Sequence, residues 1–481
     1  MNPVSASGWR LLAPELILLA SAAAAMFVHL FFKRRGRRWA GFTALAGIAA
    51  SAAALVLTPA GGGAILGGHL VGDPFAFFFK AVVLLTGGLS ILFAFRFFNI
   101  EGYEPGEVYY LMLLSMVGMM AVVSAVDLIT TYVAFELFAI PSYVLAGIFK
   151  KERRSAEAGI KYFFLGTLSS AVMLLGMALV FGLSGETGYA AIGPRLAGAN
   201  ARVVLTSMVL FFVGLFFKAA FVPFHMWAPD VYEGAPTPLV IFLSTAPKVV
   251  VFAVLIRAMT ALFGGQAGHW GPIFQFIALA TMFWGNLAAL AQKSLKRMMA
   301  YSSIAQAGYL AIGLAAWSDA GRQAVLYYAV AYVFMNAAAF GLILLVDRGG
   351  RFGEAVDDLR GLAHRAPIAA AAMLVILLSL TGIPPTAGFM GKYLLFAAAV
   401  DEKLYVLAVA GALNSAISLF YYFRVGKAIF LESEPDGTPA SPVTVSNSVT
   451  ALLAVSAIAV LLLGLLPSLL LPRAAWAVLG P

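Results

Sequence analysis

The 481-residue chain predicts an all-α polytopic membrane protein, and three observations carry that class. Hydrophobic residues make up 62% of it. Charged residues make up 11%, against about 25% in an ordinary soluble domain, too few to cover a water-facing surface. Apolar stretches of about 20 residues, the length of a bilayer-crossing helix, recur between polar or Gly/Pro punctuation along the whole sequence.

In order, these stretches fall near 11–32, 40–58, 75–97, 107–126, 128–149, 157–182, 203–227, 238–261, 272–292, 297–316, 322–346, 367–400, 403–430 and 446–470. They make fourteen transmembrane helices and leave no soluble domain. The first run is long enough to span and meets KRRGRR directly, so it reads as a span and not as a cleavable signal. The fourth and fifth abut at Asp127, whose carboxylate is expected to cap the fifth helix. Lys80, five residues inside the third span, is expected to snorkel to water. Asp230 and Glu233 read as turn and cap residues in a proline-rich loop, and Arg424 and Lys427 as interfacial anchors.

The basic residues give an orientation. Of 31 Lys and Arg, 19 lie in loops after the odd-numbered spans and 6 on the other side with both termini. The remaining six, Lys80, Lys161, Lys218, Lys248, Arg257 and Lys392, lie within spans. By the positive-inside rule the basic side is cytoplasmic and both termini lie outside the cytoplasm. Basic loops facing membrane lipid also account for the net charge of +9, so no nucleic-acid partner is implied.

Two spans read as broken. The twelfth contains SLTGIPPTAGFMGK, which puts Gly382, Pro384, Pro385 and Gly388 in mid-membrane. Proline removes a backbone donor and clashes with the carbonyl four residues back. Backbone groups freed at that depth are tolerated only inside protein or along a wet cavity. The seventh span has a related signature, with Gly214 four residues before Lys218 as Gly388 is four before Lys392; a looser echo pairs 135–145 with 301–311. Interrupted segments in corresponding positions are the mark of an inverted repeat. The expected organisation is helices 1–3 (1–106), two inverted five-helix repeats (107–261 and 262–430), discontinuous helices 7 and 12, and a last helix in 431–481.

Glu136, Lys218, Lys248 and Lys392 form a row of ionisable groups near mid-membrane. An ammonium there costs roughly 2.5–3.5 kcal/mol on insertion scales, so such residues face protein or water and mark ion or proton pathways. Lysine can pass on a proton where arginine cannot. Glu136 is the candidate modulator of Lys218, Lys248 the next carrier, and Lys392 the exit-side relay. Tyr301, Ser302, Ser303 and Gln306 on the tenth span either hold a file of water or serve helix packing. His225 is either a relay group or a structural hydrogen-bonding residue. The chain has no cysteine, which excludes thiolate-held iron–sulfur clusters, and its five scattered histidines give no paired metal or haem ligation. No cofactor is expected in this chain.

FHMWAPDVYEGAPTP with FLSTAPK, then AYSSIAQAGY and GIPPTAGFMGK, resemble the proton-pumping membrane subunits of NADH–quinone oxidoreductase (respiratory complex I). That family is shared with multisubunit sodium/proton antiporters and membrane-bound hydrogenases. The PDVYEGAPTP form is similar to its N-type members. The resemblance, which runs from about the fourth helix through the thirteenth, implies the fourteen-helix fold with two inverted repeats. It carries the family's glutamate and lysines onto Glu136, Lys218, Lys248 and Lys392. Related subunits often have histidine where Gln306 stands. The resemblance also implies a bacterial inner-membrane location and antiporter-like membrane neighbours. A peripheral redox arm would hold the NADH, flavin, iron–sulfur and quinone chemistry. The alternative within the same resemblance is a subunit of a multisubunit monovalent cation/proton antiporter.

Overall fold

The structure, a computed structural model, describes residues 6–58, 63–101, 105–348, 352–433 and 443–479. Its helices run α1 (Ala6–Leu11), α2 (Ala13–Phe31), α3 (Lys33–Leu57), α4 (Pro74–Glu101), α5 (Glu107–Ser124), α6 (Leu128–Ala146) and α7 (Arg153–Ser184). Then come α8 (Tyr189–Leu196), α9 (Ala201–Ala219), α10 (Trp227–Gly234), α11 (Thr237–Arg257), α12 (Ala267–Leu290), α13 (Leu295–Ala316) and α14 (Asp319–Gly341). The chain closes with α15 (Leu362–Arg365), α16 (Pro367–Thr381), α17 (Ala387–Asp401), α18 (Tyr405–Phe430), α19 (Asn447–Leu465) and α20 (Leu471–Leu479). Two small antiparallel strand pairs are absent from the sequence expectation: the hairpin of β1 (Ala64–Ile65) with β2 (Leu70–Val71), and the long-range pair of β3 (Val346–Arg348) with β4 (Val443–Val445).

Among the described residues, twelve helical segments are long and apolar enough to cross a membrane. They fall on twelve of the expected spans. The tenth is occupied by α13, whose apolar run is diluted by Lys296, Arg297, Ser302, Ser303 and Gln306. The twelfth is occupied by α16 followed by α17. At the centre, α11 is buried from Thr237 to Ile256, and α14 from Ala324 to Gly341 except at Phe334. Outer helices turn large apolar side chains outward, such as Phe164, Leu168 and Leu175 on α7. With so few charges, that outward surface suits lipid or neighbouring membrane protein, not water.

Both breaks have a local physical cause. The α9 helix stops at Ala220, which takes a left-handed conformation (φ 59°) and donates its N–H to the carbonyls of Phe216 and Phe217. The chain then passes through Pro223 and resumes as α10. The α16 helix stops at Gly382 (φ 92°), whose N–H caps Leu378 and Ser379, and α17 restarts after the Thr386 side chain accepts the Phe389 N–H. Gly388 is required here, because a Cβ would stand 1.9 Å from the Ser379 carbonyl oxygen.

Several expectations need correction. KRRGRR is the opening of α3 and not a loop, since Phe32 alone separates α2 from α3; the side chains of 33–37 lie outside the described residues. Lys80 does not snorkel. It is fully buried, and its Nζ lies 2.6 Å from Glu15 Oε1 on α2, an ion pair off the ideal hydrogen-bond angle. Asp230 and Glu233 lie on α10, where Arg297 pairs with both at 2.8 Å and Lys161 pairs with Asp230 at 2.7 Å. Asp127 does cap α6, accepting from the Thr130 N–H at 3.0 Å and its hydroxyl at 3.2 Å. The in-span Arg257 is held by a bidentate pair with Asp73 at 2.8 and 2.9 Å.

Contacts between connections sort the molecule into two faces. One face joins Asp230 to Lys161 and Arg297, Lys296 to Glu354, Arg360 to Glu432, and β3 to β4. The other joins Asp127 to Gly188, Leu70 to Ala125, and Asp73 to Arg257 in a groove that also takes in Val478. Near the other end of the chain, the Thr58 hydroxyl reaches the Arg10 carbonyl.

Candidate functional site

Lys218 sits on the last turn of α9, beside the break, and is 1% exposed. Its Nζ donates to the Tyr162 hydroxyl at 3.1 Å and lies 4.2 Å from the centroid of the Tyr143 ring and 4.5 Å from that of Tyr162. Ring faces attract a cation electrostatically without giving it a carbonyl to bond. Trp227, the first residue of α10, stacks on Tyr162 at 4.4 Å and donates its indole N–H to the Phe217 carbonyl at 2.8 Å, tying the half-helix to the break. Glu136 on α6 lies within electrostatic reach of Lys218 but is not bonded to it; its Oε1 is buried with no hydrogen-bond partner.

Lys248, one turn of α11 beyond Ser244 and 1% exposed, donates to both the carbonyl (2.8 Å) and the hydroxyl of Ser303 on α13. Lys392 on α17 reaches back to the open end of α16 and donates to the carbonyls of Leu380 (2.9 Å) and Thr381 (3.0 Å). A cation at a helix C-terminus sits at the negative end of the dipole. Its Nζ also stands 4.2 Å from the Tyr309 ring centroid.

These two lysines are joined through α13. Ser302, next to Ser303, bonds the Tyr422 hydroxyl; Gln306 Nε2 donates to Tyr422 at 3.3 Å and to the Leu380 carbonyl at 3.2 Å, the group that also takes Lys392. Tyr328 donates to Gln306 Oε1. Ser303 thus holds Lys248, while Ser302, adjacent to it in sequence, Tyr422 and Gln306 form a hydrogen-bonded group that meets Lys392 at the Leu380 carbonyl. Between Lys218 and Lys248 the lining is aromatic instead: Tyr162, Trp227, and Tyr232, whose ring centroid is 6.0 Å from Lys248 Nζ.

Of the secondary sequence candidates, Ser302, Ser303 and Gln306 are fully buried in this chain. Tyr301 is half-buried and, among the described residues, does not enter it. His225 lies in the break between α9 and α10, 7% exposed, with Nδ1 unpartnered and its ring 5.7 Å from Trp284. Sequence reading missed Tyr422, Tyr328 and a neighbouring amide cluster. There Asn286 Nδ2 donates to Asn414 at 3.0 Å, and Asn286 Oδ1 accepts from Tyr421 at 3.0 Å. The available signal was an asparagine inside an apolar span, where an unsatisfied amide is costly. Among the described residues, no group of three His, Asp or Glu is placed to hold a metal ion.

Residues 125–418 match the family model described as NADH:quinone oxidoreductase/Mrp antiporter, TM. The chain is similar to the NADH-quinone oxidoreductase subunit N of Trichlorobacter lovleyi, 40% identical over 97% of this chain and 96% of that one. It is 42% identical to the subunit N of Desulfovibrio desulfuricans, over 96% of this chain and 95% of that one. Among solved structures it superposes on a chain of respiratory complex I from Thermus thermophilus with bound aureothin. The TM-score is 0.81 at 34% identity, over 96% of this chain and 99% of that one. A chain of the Mrp complex from Dietzia sp. has the same fold, with TM-score 0.83 at 22% identity over 97% and 96%.

Proposed function

The chain belongs to the NADH:quinone oxidoreductase/Mrp antiporter membrane family, and from that premise we infer its work: it is the N-type proton-translocating membrane subunit of a bacterial NADH–quinone oxidoreductase. It acts assembled with other membrane subunits and a peripheral arm, and it serves the enzyme as a translocase subunit. The redox groups, NADH, flavin, iron–sulfur clusters and quinone, sit on those partners. The observation that carries the reading is the buried row, in which three amines held at 1–3% exposure are spaced through the chain's interior with one carboxylate beside the first.

In this reading Glu136 and Lys218 form the switchable pair. A proton released from Lys218 crosses the aromatic stretch to Lys248 by way of water, then moves by Ser303, Ser302, Tyr422 and intervening water to Lys392, with Gln306 holding Tyr422 in place. Hydroxyls can accept and donate in turn, and the Gln306 amide orients its neighbours without titrating. Conformational or electrostatic change in the partners drives the sequence. Fourteen spans follow if α13 and the α16/α17 pair are added to the twelve apolar segments. Two inverted five-helix units are supported by breaks in spans seven and twelve that both end on a left-handed residue, Ala220 and Gly382. The face carrying Lys161, Lys296 and Arg297 is the cytoplasmic one, which leaves both termini on the other side of the inner membrane.

The test is alanine at Lys218 or Glu136 in the assembled complex. Protons pumped per electron should fall in both. An unchanged ratio in either removes that residue from the path.

A further inference from the structure

Asn286 on α12 is fully buried, and both ends of its amide are in use. Nδ2 donates to Asn414 Oδ1 at 3.0 Å and to the Tyr309 hydroxyl oxygen at 3.3 Å. Oδ1 accepts from the Tyr421 hydroxyl at 3.0 Å. Tyr309 lies on α13, and Asn414 and Tyr421 lie on α18, where a spacing of seven residues puts them on one face. These bonds go around the row's ionisable groups and not to them.

Chemistry fixes the direction of each bond. The Ala410 carbonyl can only accept, so the Asn414 atom 2.9 Å from it is the amide nitrogen. Asn414 Oδ1 therefore faces Asn286, which answers with Nδ2 and turns Oδ1 to Tyr421. That commits the Tyr421 hydrogen to Asn286 and makes the Tyr309 oxygen an acceptor. Position is fixed as firmly, because α12 and α13 meet at backbone distance beside Asn286. A Cβ on Gly285 would stand 2.6 Å from the Ala305 nitrogen, and one on Gly308 2.7 Å from the Met282 nitrogen.

Both hydroxyls that Asn286 holds belong to rings that meet the row. The Tyr309 ring centroid is 4.2 Å from Lys392 Nζ. The Tyr421 ring packs 4.3 Å from that of Tyr422, whose hydroxyl is bonded to Ser302 and Gln306. An amide pair that only joined α12 to α18 would need neither tyrosine.

We propose that Asn286 is a positioning residue for the Lys392 end of the row, holding the Tyr309 ring against the amine and Tyr421 against Tyr422. This rests on the relay described above. An amide does not titrate, so Asn286 passes no proton itself. Losing one ordinary hydrogen bond lowers the population of the held arrangement about fivefold.

The test uses the assembled complex in proteoliposomes driven by NADH, with protons per electron and a thermal melt read on each variant. Asn286→Leu should lower both. Asn286→Leu with Asn414→Leu replaces the amide pair by apolar side chains. It should regain melting temperature but not the pumping ratio, because Tyr309 and Tyr421 are still unheld. Tyr309→Phe and Tyr421→Phe keep the rings and drop one link each, and each should lower the ratio by less than Asn286→Leu does. Lys392→Arg runs alongside. A lowered ratio there with an unmodified ratio in Asn286→Leu overturns this proposal alone. An unmodified ratio in Lys392→Arg removes the relay, and this proposal with it. A ratio that returns together with the melting temperature in the double variant also overturns it, since the cluster then only joins helices. If Asn286→Leu fails to assemble, the two phenylalanine variants decide, and unmodified ratios in both overturn the proposal.

Discussion

Replacing Lys392 separates an amine that carries protons from one that merely closes a helix end. Its Nζ holds the Leu380 and Thr381 carbonyls at 2.9 and 3.0 Å and faces the Tyr309 ring at 4.2 Å. Lys392→Met keeps the bulk and removes the charge. The Leu380 carbonyl would still accept from Gln306 at 3.2 Å, so only Thr381 is orphaned. One buried orphan costs about 1–3 kcal/mol and the lost cation–π contact about 0.5–2 kcal/mol. Together they remove roughly 2–5 kcal/mol, visible as a lower melting temperature of the complex. Lys392→Arg keeps a cation and its donors in the same place. The fit is tight, since a Cβ on Gly382 would already stand 2.9 Å from Lys392 Cδ, yet most of the stabilisation should survive. Guanidinium does not give up its proton. Both variants should therefore lose pumping, while only the methionine variant loses stability. The assay is protons moved per electron in proteoliposomes driven by NADH, alongside a thermal melt. An arginine variant that pumps at the unmodified ratio would refute the relay role and leave Lys392 as a helix cap.

Other outcomes follow from the same geometry. Tyr422→Phe severs the links to Ser302 and Gln306; proteoliposome pumping should drop, with a stability loss of about 1 kcal/mol by thermal melt. Lys80→Met or Glu15→Gln alone should destabilise the complex by about 3–5 kcal/mol, because each leaves the other group buried without its partner. The double change Glu15→Leu with Lys80→Met should recover most of that loss, as read by denaturation. Asp127→Ala should cost about 1 kcal/mol as a lost helix cap, and Asp127→Asn much less. Burial pushes the Asp127 carboxyl up, but hydrogen bonds from Thr187 and Thr130 and the nearby His69 hold it below the ordinary carboxylate value. Its contribution should therefore be present above about pH 4 and fade as pH falls through the lowered value, a dependence the alanine variant should lack in pH-resolved melts.

The spans were legible because a bilayer demands about 20 apolar residues per crossing, and local composition reports that demand. The break at Gly382 was legible for a similar reason: two prolines and a glycine leave the helix no way to continue. The break after Ala219 was harder, because the left-handed position falls on Ala220, and an alanine gives no warning. As a result the half-helix α10 reads from sequence as a proline-rich loop, and its Asp230 and Glu233 as turn and cap residues. Lys80 was misread because its partner, Glu15, lies on another helix, and no local pattern records a pairing across helices. The same limit hid Tyr422 and Tyr328. A tyrosine in an apolar span looks like any aromatic filler until the fold brings its hydroxyl to a serine or an amide. What one sequence shows well is a residue that burdens its own helix; it shows poorly a residue that answers a burden elsewhere.

The three amines are not held alike, and the difference bears on direction. Lys248 is fixed by a serine through two oxygens, and Lys392 by two carbonyls at a helix end. Lys218 has one tyrosine hydroxyl and otherwise ring faces, while a carboxylate oxygen within its electrostatic reach is left without a partner. A group held by a single hydrogen bond gives up about 1 kcal/mol on leaving it, whereas a bond from an ammonium to each of two oxygens holds roughly twice that or more. Lys218, with a single hydrogen bond, thus stands near an open carboxylate oxygen and at the lip of a broken helix. Small movements of α6 or α9 change the Lys218–Glu136 separation first, before they disturb the tighter joints downstream. In the proposed relay, control of the row therefore belongs at this end, with Lys248 and Lys392 responding to it.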